Sequence, residues 1–253
     1  MCINMTISHW LSVYNTEHMY RRKKHLFFDL DMTVAPARQP ILPHMFELLS
    51  SLPHDVIIVS GQGVTKIEWQ TNNLPTIRLG QNGNHATEAD GTELWNVPLD
   101  EHHQKEILNH INRLIALLDH ELNEDWVPIE NRGSQITFSP IGNVAPVHIK
   151  MTYDPDRKKR ESLLEREPFI SEELTVKMGG STSLDYIHKD RHKGTNVEKL
   201  INLKDWDKDE CIYFGDGLFP GGNDEAVIGV IETYAVKDHE HTYQALKEFF
   251  ASE

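Results

Sequence analysis

The chain has 253 residues, of which 39% are hydrophobic and 25% charged, so it can bury a sizeable core as one large domain or two smaller ones. Its formal net charge of −14 disfavours binding to nucleic acid or an anionic membrane, and no run approaches the roughly 18 apolar residues of a membrane span. Two widely separated cysteines, Cys2 and Cys211, exclude a disulfide framework and predict a reducing, cytoplasmic location.

Residues 1–24 are predicted to be an N-terminal extension. Trp10, Leu11 and Val13 precede the basic run at residues 21–24. A secretory signal has the opposite order, with its charges first, so this segment is not interpreted as one.

Two carboxylates follow the first strand-like run. Residues 28–33 read Phe-Asp-Leu-Asp-Met-Thr, which separates Asp29 and Asp31 by two positions and places Thr33 just beyond. Side chains at i and i+2 of an extended segment share a face, so both carboxylates can converge on one point past the strand. The spacing indicates phosphoryl transfer, although the triplet alone is also typical of a solvated loop.

From residue 25 to about 96, strand-like and helix-like patterns alternate, as they do in parallel βαβ units. The second strand-like run, residues 56–59, ends in Ser60. Between the two runs, apolar residues recur at helical spacing. These residues are Leu42, Met45, Phe46, Leu49 and Leu52.

The pattern changes beyond residue 97. A long amphipathic segment at 107–122 predicts a helix, and alternating runs at 134–139 and 147–153 predict antiparallel strands with one wet face. A second helix is expected at 155–165, followed by a strand at 182–187. We therefore predict an α+β cap at 98–187, inserted into an α/β core formed by 25–97 and 188–253.

Two further segments complete a set of four motifs. Lys193 precedes Thr195, which with Glu198 forms a capping box that predicts a helix start beside the lysine. The last strand-like run ends in Gly-Asp216-Gly and continues into Phe-Pro-Gly-Gly-Asn-Asp at 219–224. In this order, the four segments resemble the motifs of the haloacid dehalogenase-like (HAD) superfamily, subclass IIB. The resemblance implies a Rossmann-like core with a parallel sheet and an inserted cap of type C2b.

The resemblance also implies roles for the motif residues. Asp29 would be the nucleophile that forms an aspartyl phosphate, and Asp31 the general acid and base. Ser60 and Lys193 would hold the phosphoryl oxygens. Mg²⁺ would neutralise the clustered carboxylates, because it prefers oxygen ligands. The implied metal ligands are Asp29, Asp31 (through its backbone carbonyl), Asp216 and Asp224, with Asn223 at the rim on the substrate side.

Two stretches point to one family within this superfamily. Residues 29–39 and 214–224 are similar to the corresponding segments of eukaryotic-type phosphomannomutases. Matching stretches in the cap surround Arg132, residues 139–142 and residues 179–185. Carried over residue by residue, the implied substrate contacts are Arg38, Arg132, Lys150, Ser183 and Asp185, with Asn223 from the core.

Three departures from that family's pattern bear on function. Asn143 and Lys150 stand where the mutases carry arginines, which weakens the expected grip on a second phosphate, because arginine binds phosphate through a bidentate fork. Met32 replaces a glycine at a position where a positive φ would strain it.

The replacements at Asn143 and Lys150 favour a Mg²⁺-dependent phosphatase that hydrolyses a small phosphorylated sugar, whereas Met32 is the reason for considering an inactive protein. The alternative is a phosphohexomutase, such as a phosphomannomutase, that uses a sugar 1,6-bisphosphate. A second alternative is a catalytically silent sugar-phosphate-binding protein. The expected partner is a small phosphorylated sugar, with no nucleic acid and no membrane. Relatives often dimerise through the cap, so the resemblance is compatible with a homodimer formed through this unit.

Histidines are abundant, and His188 and His192, which lie four residues apart, could chelate a transition metal on a helix. Because no carboxylate or cysteine partner is evident, they are predicted to be solvated surface residues. The same prediction applies to His102 and His103 and to the His-Glu-His run at 239–241.

Overall fold

The computed structural model describes Tyr20 and residues 22–250, and these form two compact units. The core unit comprises the described residues up to Trp95 and from Lys193 onward, and the cap unit is Asn96–His192. The sequence predicted these boundaries after residue 97 and before residue 188. The predicted N-terminal extension falls largely on residues 1–19 and 21, which lie outside the described chain.

The described residues form eleven strands and seven α-helices. In chain order, the strands are β1 (His25–Asp29), β2 (Asp55–Val59), β3 (Ile77–Gly80), β4 (His85–Thr87), β5 (Glu93–Asn96), β6 (Ile129–Asn131), β7 (Gln135–Phe138), β8 (Leu174–Gly179), β9 (Ser183–His188), β10 (Cys211–Gly215) and β11 (Glu232–Ala235). The helices are α1 (Pro43–Ser51), α2 (Val64–Gln70), α3 (Glu101–Ile115), α4 (Val147–Tyr153), α5 (Lys158–Arg166), α6 (Lys193–Lys204) and α7 (His239–Phe250).

The core is built on a seven-stranded sheet in the order β11-β10-β1-β2-β3-β4-β5. The first five strands in this order run parallel, and β4 pairs antiparallel with β3. Parallel strands end at the same edge of a sheet, so the residues after β1, β2 and β10 are brought together there. This mainly parallel sheet with its helices confirms the predicted α/β class.

Both faces of the core sheet are buried. Phe28 packs in one apolar cluster with Met45 of α1 and Phe249 of α7, whereas Phe27 packs in a second cluster with Val197 of α6. Successive side chains of a strand point to opposite faces, which accounts for the split between Phe27 and Phe28. Each such burial contributes about 1.5–3 kcal/mol, so β1 is firmly anchored beneath the carboxylates that follow it.

The cap unit has its own antiparallel sheet, in the order β6-β7-β9-β8. Helix α3 packs on the sheet through Ile107 and Ile111, which share an apolar cluster with Phe138 and Tyr186. The alternating run at 134–139 contains β7, so the strand that the pattern predicted there is confirmed.

The run at 147–153 is a helix, α4, and the predicted strand is wrong. Pro146 has a φ of −53° and its carbonyl accepts hydrogen bonds from the amides of Ile149 and Lys150, which begins a helical turn. Val147 and Met151 are exposed, so the apolar alternation does not mark a buried face.

Two helix ends also differ from the sequence expectations. Helix α3 ends at Ile115 instead of continuing to residue 122, and α6 begins at Lys193, two residues before the predicted cap at Thr195. The earlier start brings Lys193 itself into the first turn of α6. In the described part of the chain, no helix is long and apolar enough to cross a bilayer.

Candidate active site

A buried lysine links two carboxylates at the edge of the core sheet. The Nζ of Lys193 donates hydrogen bonds to Asp29 Oδ1 at 2.5 Å and to Asp224 Oδ1 at 2.7 Å. Asp29 is the last residue of β1, and Lys193 is the first of α6. The three side chains are almost fully buried, with exposed fractions of 6% or less. The lysine therefore orients both carboxylates away from bulk water.

Asp216 completes a group of three carboxylates. Oxygen atoms of Asp29, Asp216 and Asp224 all lie within 4.8 Å of one another. Asp216 follows β10, and its backbone amide donates to the hydroxyl of Thr33 at 3.2 Å. A Cβ added to Gly215 would lie 2.5 Å from Asp224 Oδ2, so only glycine permits this approach. Three carboxylates facing one lysine leave an excess of negative charge that a divalent cation would balance.

Burial and neighbouring charges both shift the pKa values of this cluster. Burial raises the pKa of Asp29 to about 7, Lys193 opposes the rise, and Asp224 and Asp216 add to it. Burial also raises the pKa of Asp216, with a further rise from Asp224. Burial disfavours the charged form of Lys193, but Asp224 and Asp29 outweigh it and raise the lysine pKa above its ordinary value. The lysine is therefore charged, and an added cation would favour the ionised form of Asp29.

Asp31 lies outside this group and is held by amides. Its two carboxylate oxygens accept hydrogen bonds from Gln62 Nε2 at 2.8 Å, from Gln70 Nε2 at 2.7 Å and from the backbone amide of Arg38 at 2.6 Å. Met32, the next residue, has a φ of 62°, so the positive φ expected at this position is present. A methionine there costs roughly 1–2 kcal/mol relative to an ordinary conformation.

The other predicted core residues occupy different surroundings. Ser60 is buried directly after β2, and its hydroxyl accepts a hydrogen bond from the amide of Gln62 at 3.1 Å. Arg38 and Asn223 are exposed. Val59 pairs with Asp29 in the register of β1 and β2, so Ser60 is one residue beyond the position opposite the carboxylate.

In the cap unit, three predicted residues form one group around the partly buried carboxyl group of Asp185. Asp185 of β9 accepts a hydrogen bond from Thr137 Oγ1 at 2.9 Å. Burial raises the pKa of Asp185, and the hydrogen bonds from Thr137 and Ser183 and the charge of Arg132 oppose that rise. Arg132 also forms an ion pair with Glu130 at 2.6 Å. Arg132, Ser183 and Asp185 therefore belong to one polar group of the cap sheet.

The two positions that depart from the mutase pattern interact with each other. Asn143 Nδ2 donates to the backbone carbonyl of Val127 at 3.0 Å, and Lys150 Nζ donates to the carbonyl of Asn143 at 2.9 Å. Asn143 thus fixes the local backbone, and Lys150 supplies a cation on α4 beside it.

Two buried residues of the core site were missed by the sequence analysis. Gln70 is fully buried and binds Asp31, and the hydroxyl of Tyr213 donates to Asp224 Oδ1 at 2.7 Å. Gln70 lies three positions after the buried Ile67 on α2, so a polar residue on the apolar face of a helix was the available signal. Tyr213 reads as an ordinary apolar member of β10, and no sequence signal separates it from its neighbours.

Comparison with known proteins identifies a family for most of the chain. A family model for eukaryotic phosphomannomutase matches residues 77–252. The phosphomannomutase of Spinacia oleracea is 29% identical over 240 residues, covering 88% of this chain and 94% of the relative. Phosphomannomutase 2 of Dictyostelium discoideum is 28% identical over 245 residues, covering 88% and 95%.

Solved structures of lower sequence identity share the fold. A Plasmodium falciparum IMP-nucleotidase with bound IMP has a TM-score of 0.64 at 17% identity, covering 95% of this chain and 72% of that one. A haloacid dehalogenase-like hydrolase from B. subtilis has a TM-score of 0.63 at 13% identity, covering 88% and 99%. These likenesses confirm the predicted fold, a HAD-type core with a cap. The family model and the curated relatives confirm the predicted resemblance to phosphomannomutases.

The same comparisons overturn the phosphatase that the sequence analysis favoured. The family model describes phosphomannomutases, and the relatives that match nearly the whole chain are named phosphomannomutases. Both findings agree with the mutase alternative. The phosphatase prediction gave too much weight to two arginine replacements, at Asn143 and Lys150. Lys150 keeps one of the two positive charges, and the replacement at Asn143 is accommodated by hydrogen bonds to the backbone.

Proposed function

The chain belongs to the eukaryotic phosphomannomutase family, and on that premise we propose that it is a phosphohexomutase acting on a small sugar phosphate such as mannose phosphate. The observation that carries the proposal is the group formed by the buried Asp29, Lys193 and Asp224 and the partly buried Asp216 at the carboxyl edge of a parallel sheet. The choice of a mutase over a hydrolase rests on the family match and on the names of the relatives.

In the proposed reaction, Asp29 Oδ attacks phosphorus of a sugar bisphosphate and the bond from phosphorus to the sugar oxygen breaks. This produces an aspartyl phosphate and a sugar monophosphate. Asp31 gives a proton to the departing sugar oxygen and takes one from the hydroxyl that attacks the aspartyl phosphate in the return step. The hydrogen bonds from Gln62 and Gln70 to Asp31 support this role, because they hold the carboxylate in one orientation.

We further propose that Mg²⁺ is the resident cation. The three carboxylates of Asp29, Asp216 and Asp224 offer oxygen ligands only, and hard divalent cations prefer such sets. When bound, Mg²⁺ would neutralise charge on the phosphoryl oxygens. Lys193 and Ser60 would hold those oxygens, and the Asp31 carbonyl remains a ligand implied by family resemblance.

For the sugar, we propose contacts from Arg38, Arg132, Lys150, Ser183, Asp185 and Asn223. Support comes from the polar group around Asp185 and from the cation that Lys150 carries beside Asn143. A cytoplasmic location and a homodimer through the cap stay predictions, as does the absence of nucleic-acid and membrane partners.

The test is phosphorus NMR of the purified protein with Mg²⁺ and mannose 1-phosphate, with and without catalytic glucose 1,6-bisphosphate. We expect conversion to mannose 6-phosphate that depends on the bisphosphate and releases little inorganic phosphate. Asp31→Asn should lower the rate by about 10² to 10⁴-fold. Glu47→Gln, which changes an exposed carboxylate of α1, is the matched control and should leave the rate unchanged. Steady release of inorganic phosphate, or no conversion of any sugar phosphate tried, would refute the mutase.

A further inference from the structure

A histidine that the sequence analysis placed on the solvated surface is buried at the start of α3. His103 is only 6% exposed, while His102 beside it is exposed. Asp100 is the N-cap of α3, and its Oδ1 accepts a hydrogen bond from the amide of His103 at 2.8 Å. The prediction of a solvated pair is therefore wrong for His103, because the cap unit folds over it.

The two ring nitrogens of His103 each face a carboxylate, but only Nε2 makes a hydrogen bond. Its Nε2 lies 2.6 Å from Glu173 Oε2, in the segment just before β8. Its Nδ1 is buried and makes no hydrogen bond, although Asp100 Oδ1 is 3.2 Å away. A carboxylate hydrogen-bonded to one ring nitrogen is the arrangement that orients histidine ligands in metal sites, and the other nitrogen then faces Asp100, a second candidate ligand.

Asp100, His102 and His103 can reach one ion together. One ligand atom from each of the three lies within 4.8 Å of the others. Ligand atoms at about 2.0–2.2 Å from a tetrahedral ion lie closer together than this, and rotation of the exposed His102 can close the difference. His102 and His103 line a hollow of about 560 Å³, which leaves room for water as a further ligand.

The charges around the hollow favour a cation. Glu106, Glu172 and Glu173 line it together with a single lysine, Lys105. The positive end of α3 opposes a cation, but Asp100 and these glutamates offset it. Two imidazoles with one carboxylate suit zinc, whereas Mg²⁺ prefers oxygen ligands.

We propose that Asp100, His102 and His103 form a second metal site, in the cap unit, that binds a zinc-type divalent transition-metal cation, with Glu173 holding His103 in its ligating orientation. The site is separate in its residues from the carboxylate cluster of the core. It does not depend on which reaction the protein catalyses.

The experiment is a titration of the metal-free full chain with Co²⁺ and Zn²⁺ at pH 7.5, in excess Mg²⁺ to saturate the oxygen site. Co²⁺ absorption reports nitrogen ligands, and calorimetry reports affinity and stoichiometry for Zn²⁺. We expect one equivalent bound by the wild type. His102→Gln should lower the affinity by at least about tenfold, and Glu173→Gln by about 10 to 100-fold.

His102 is exposed, so His102→Gln should fold normally, which circular dichroism verifies. His148→Gln removes another exposed imidazole from the cap unit and is the control that should bind like the wild type. If the wild type binds Zn²⁺ no more tightly than His102→Gln does, including no binding by either, the proposed site is refuted.

Discussion

Lys193 in the core unit and Arg160 in the cap unit are both buried cations, yet their surroundings differ. Lys193 is hydrogen-bonded to two carboxylates, Asp29 and Asp224, and Asp216 lies in the same group. Arg160 is bound to one carboxylate, Asp154, at 2.7 Å, and its Nη1 donates to the carbonyls of Gly179, Gly180 and Ser183.

The balance of charge distinguishes the proposed catalytic group around Lys193 from the structural ion pair of Arg160 and Asp154. Around Arg160 one positive charge meets one negative charge, and the remaining donors are used by carbonyls of the turn between β8 and β9. Around Lys193 negative charge is in excess, so the group is electrostatically incomplete without a cation. The cap pair fixes the turn that leads into Ser183 and Asp185, whereas the core group holds the proposed nucleophile.

The largest expected effect is on activity, and it comes from Asp29. Asp29→Asn should lower phosphoryl transfer by on the order of 10⁴-fold or more, because an amide cannot form the aspartyl phosphate. The measurement is the initial rate of mannose 1-phosphate conversion, with Glu47→Gln as the control. A variant that kept a hundredth of the activity would show that Asp29 is not the nucleophile.

Removing the positive charge of Lys193 should strongly destabilise the protein. Lys193→Met leaves Asp29 and Asp224 buried without their partner, at a cost of about 3–5 kcal/mol in the free energy of unfolding. Urea denaturation measures this loss. Mg²⁺ should restore part of the stability, because it binds the folded carboxylate group and not the unfolded chain. No response to Mg²⁺ would contradict the idea of an electrostatically incomplete core site.

The cap pair should respond differently. Arg160→Met should cost about 3 kcal/mol, since Asp154 stays buried but keeps hydrogen bonds from the amides of Lys159 and Arg160. Mg²⁺ should not restore this loss. Adding Asp154→Leu to Arg160→Met should recover most of the stability, because the buried charge is removed as well. A double variant as unstable as the single one would mean that the backbone contacts of Arg160, and not its charge, carry the effect.

The last expected effect is a pH dependence of stability in metal-free protein. The pKa of Asp29 is raised from 3.8 to about 7 in the folded state, so between these values the folded chain binds this proton more tightly than the unfolded chain does. The contribution of Asp29 to stability is therefore greatest below pH 4 and declines as the pH rises to about 7. Asp29→Asn should flatten the pH profile of Tm over this interval, measured against Glu47→Gln. An unchanged slope would mean that Asp29 is ionised throughout.

The residues of the core site could be predicted because they follow strands. Asp29, Ser60 and Asp216 each come directly after a buried apolar run, and parallel strands end at a common edge. Gln70 could not be predicted as a partner of Asp31. It lies 39 residues away in sequence, and only the packing of α2 brings its amide within 2.7 Å.

The cap was less predictable for the same reason. Residues 147–153 alternate like a strand, but the hydrogen bonds to the Pro146 carbonyl make a helix. His103 follows the exposed His102, and its ring contacts Glu173, 70 residues away, which no local pattern indicates.

By itself, the sequence determined the α/β class, the order of the four motifs and the positions of the acidic residues, because strand periodicity and motif spacing are local properties. The tertiary structure alone decided which charges are buried, which partners they meet and how their pKa values move. Burial and Coulomb interactions depend on distances between residues that are remote in the chain, and those distances exist only after folding.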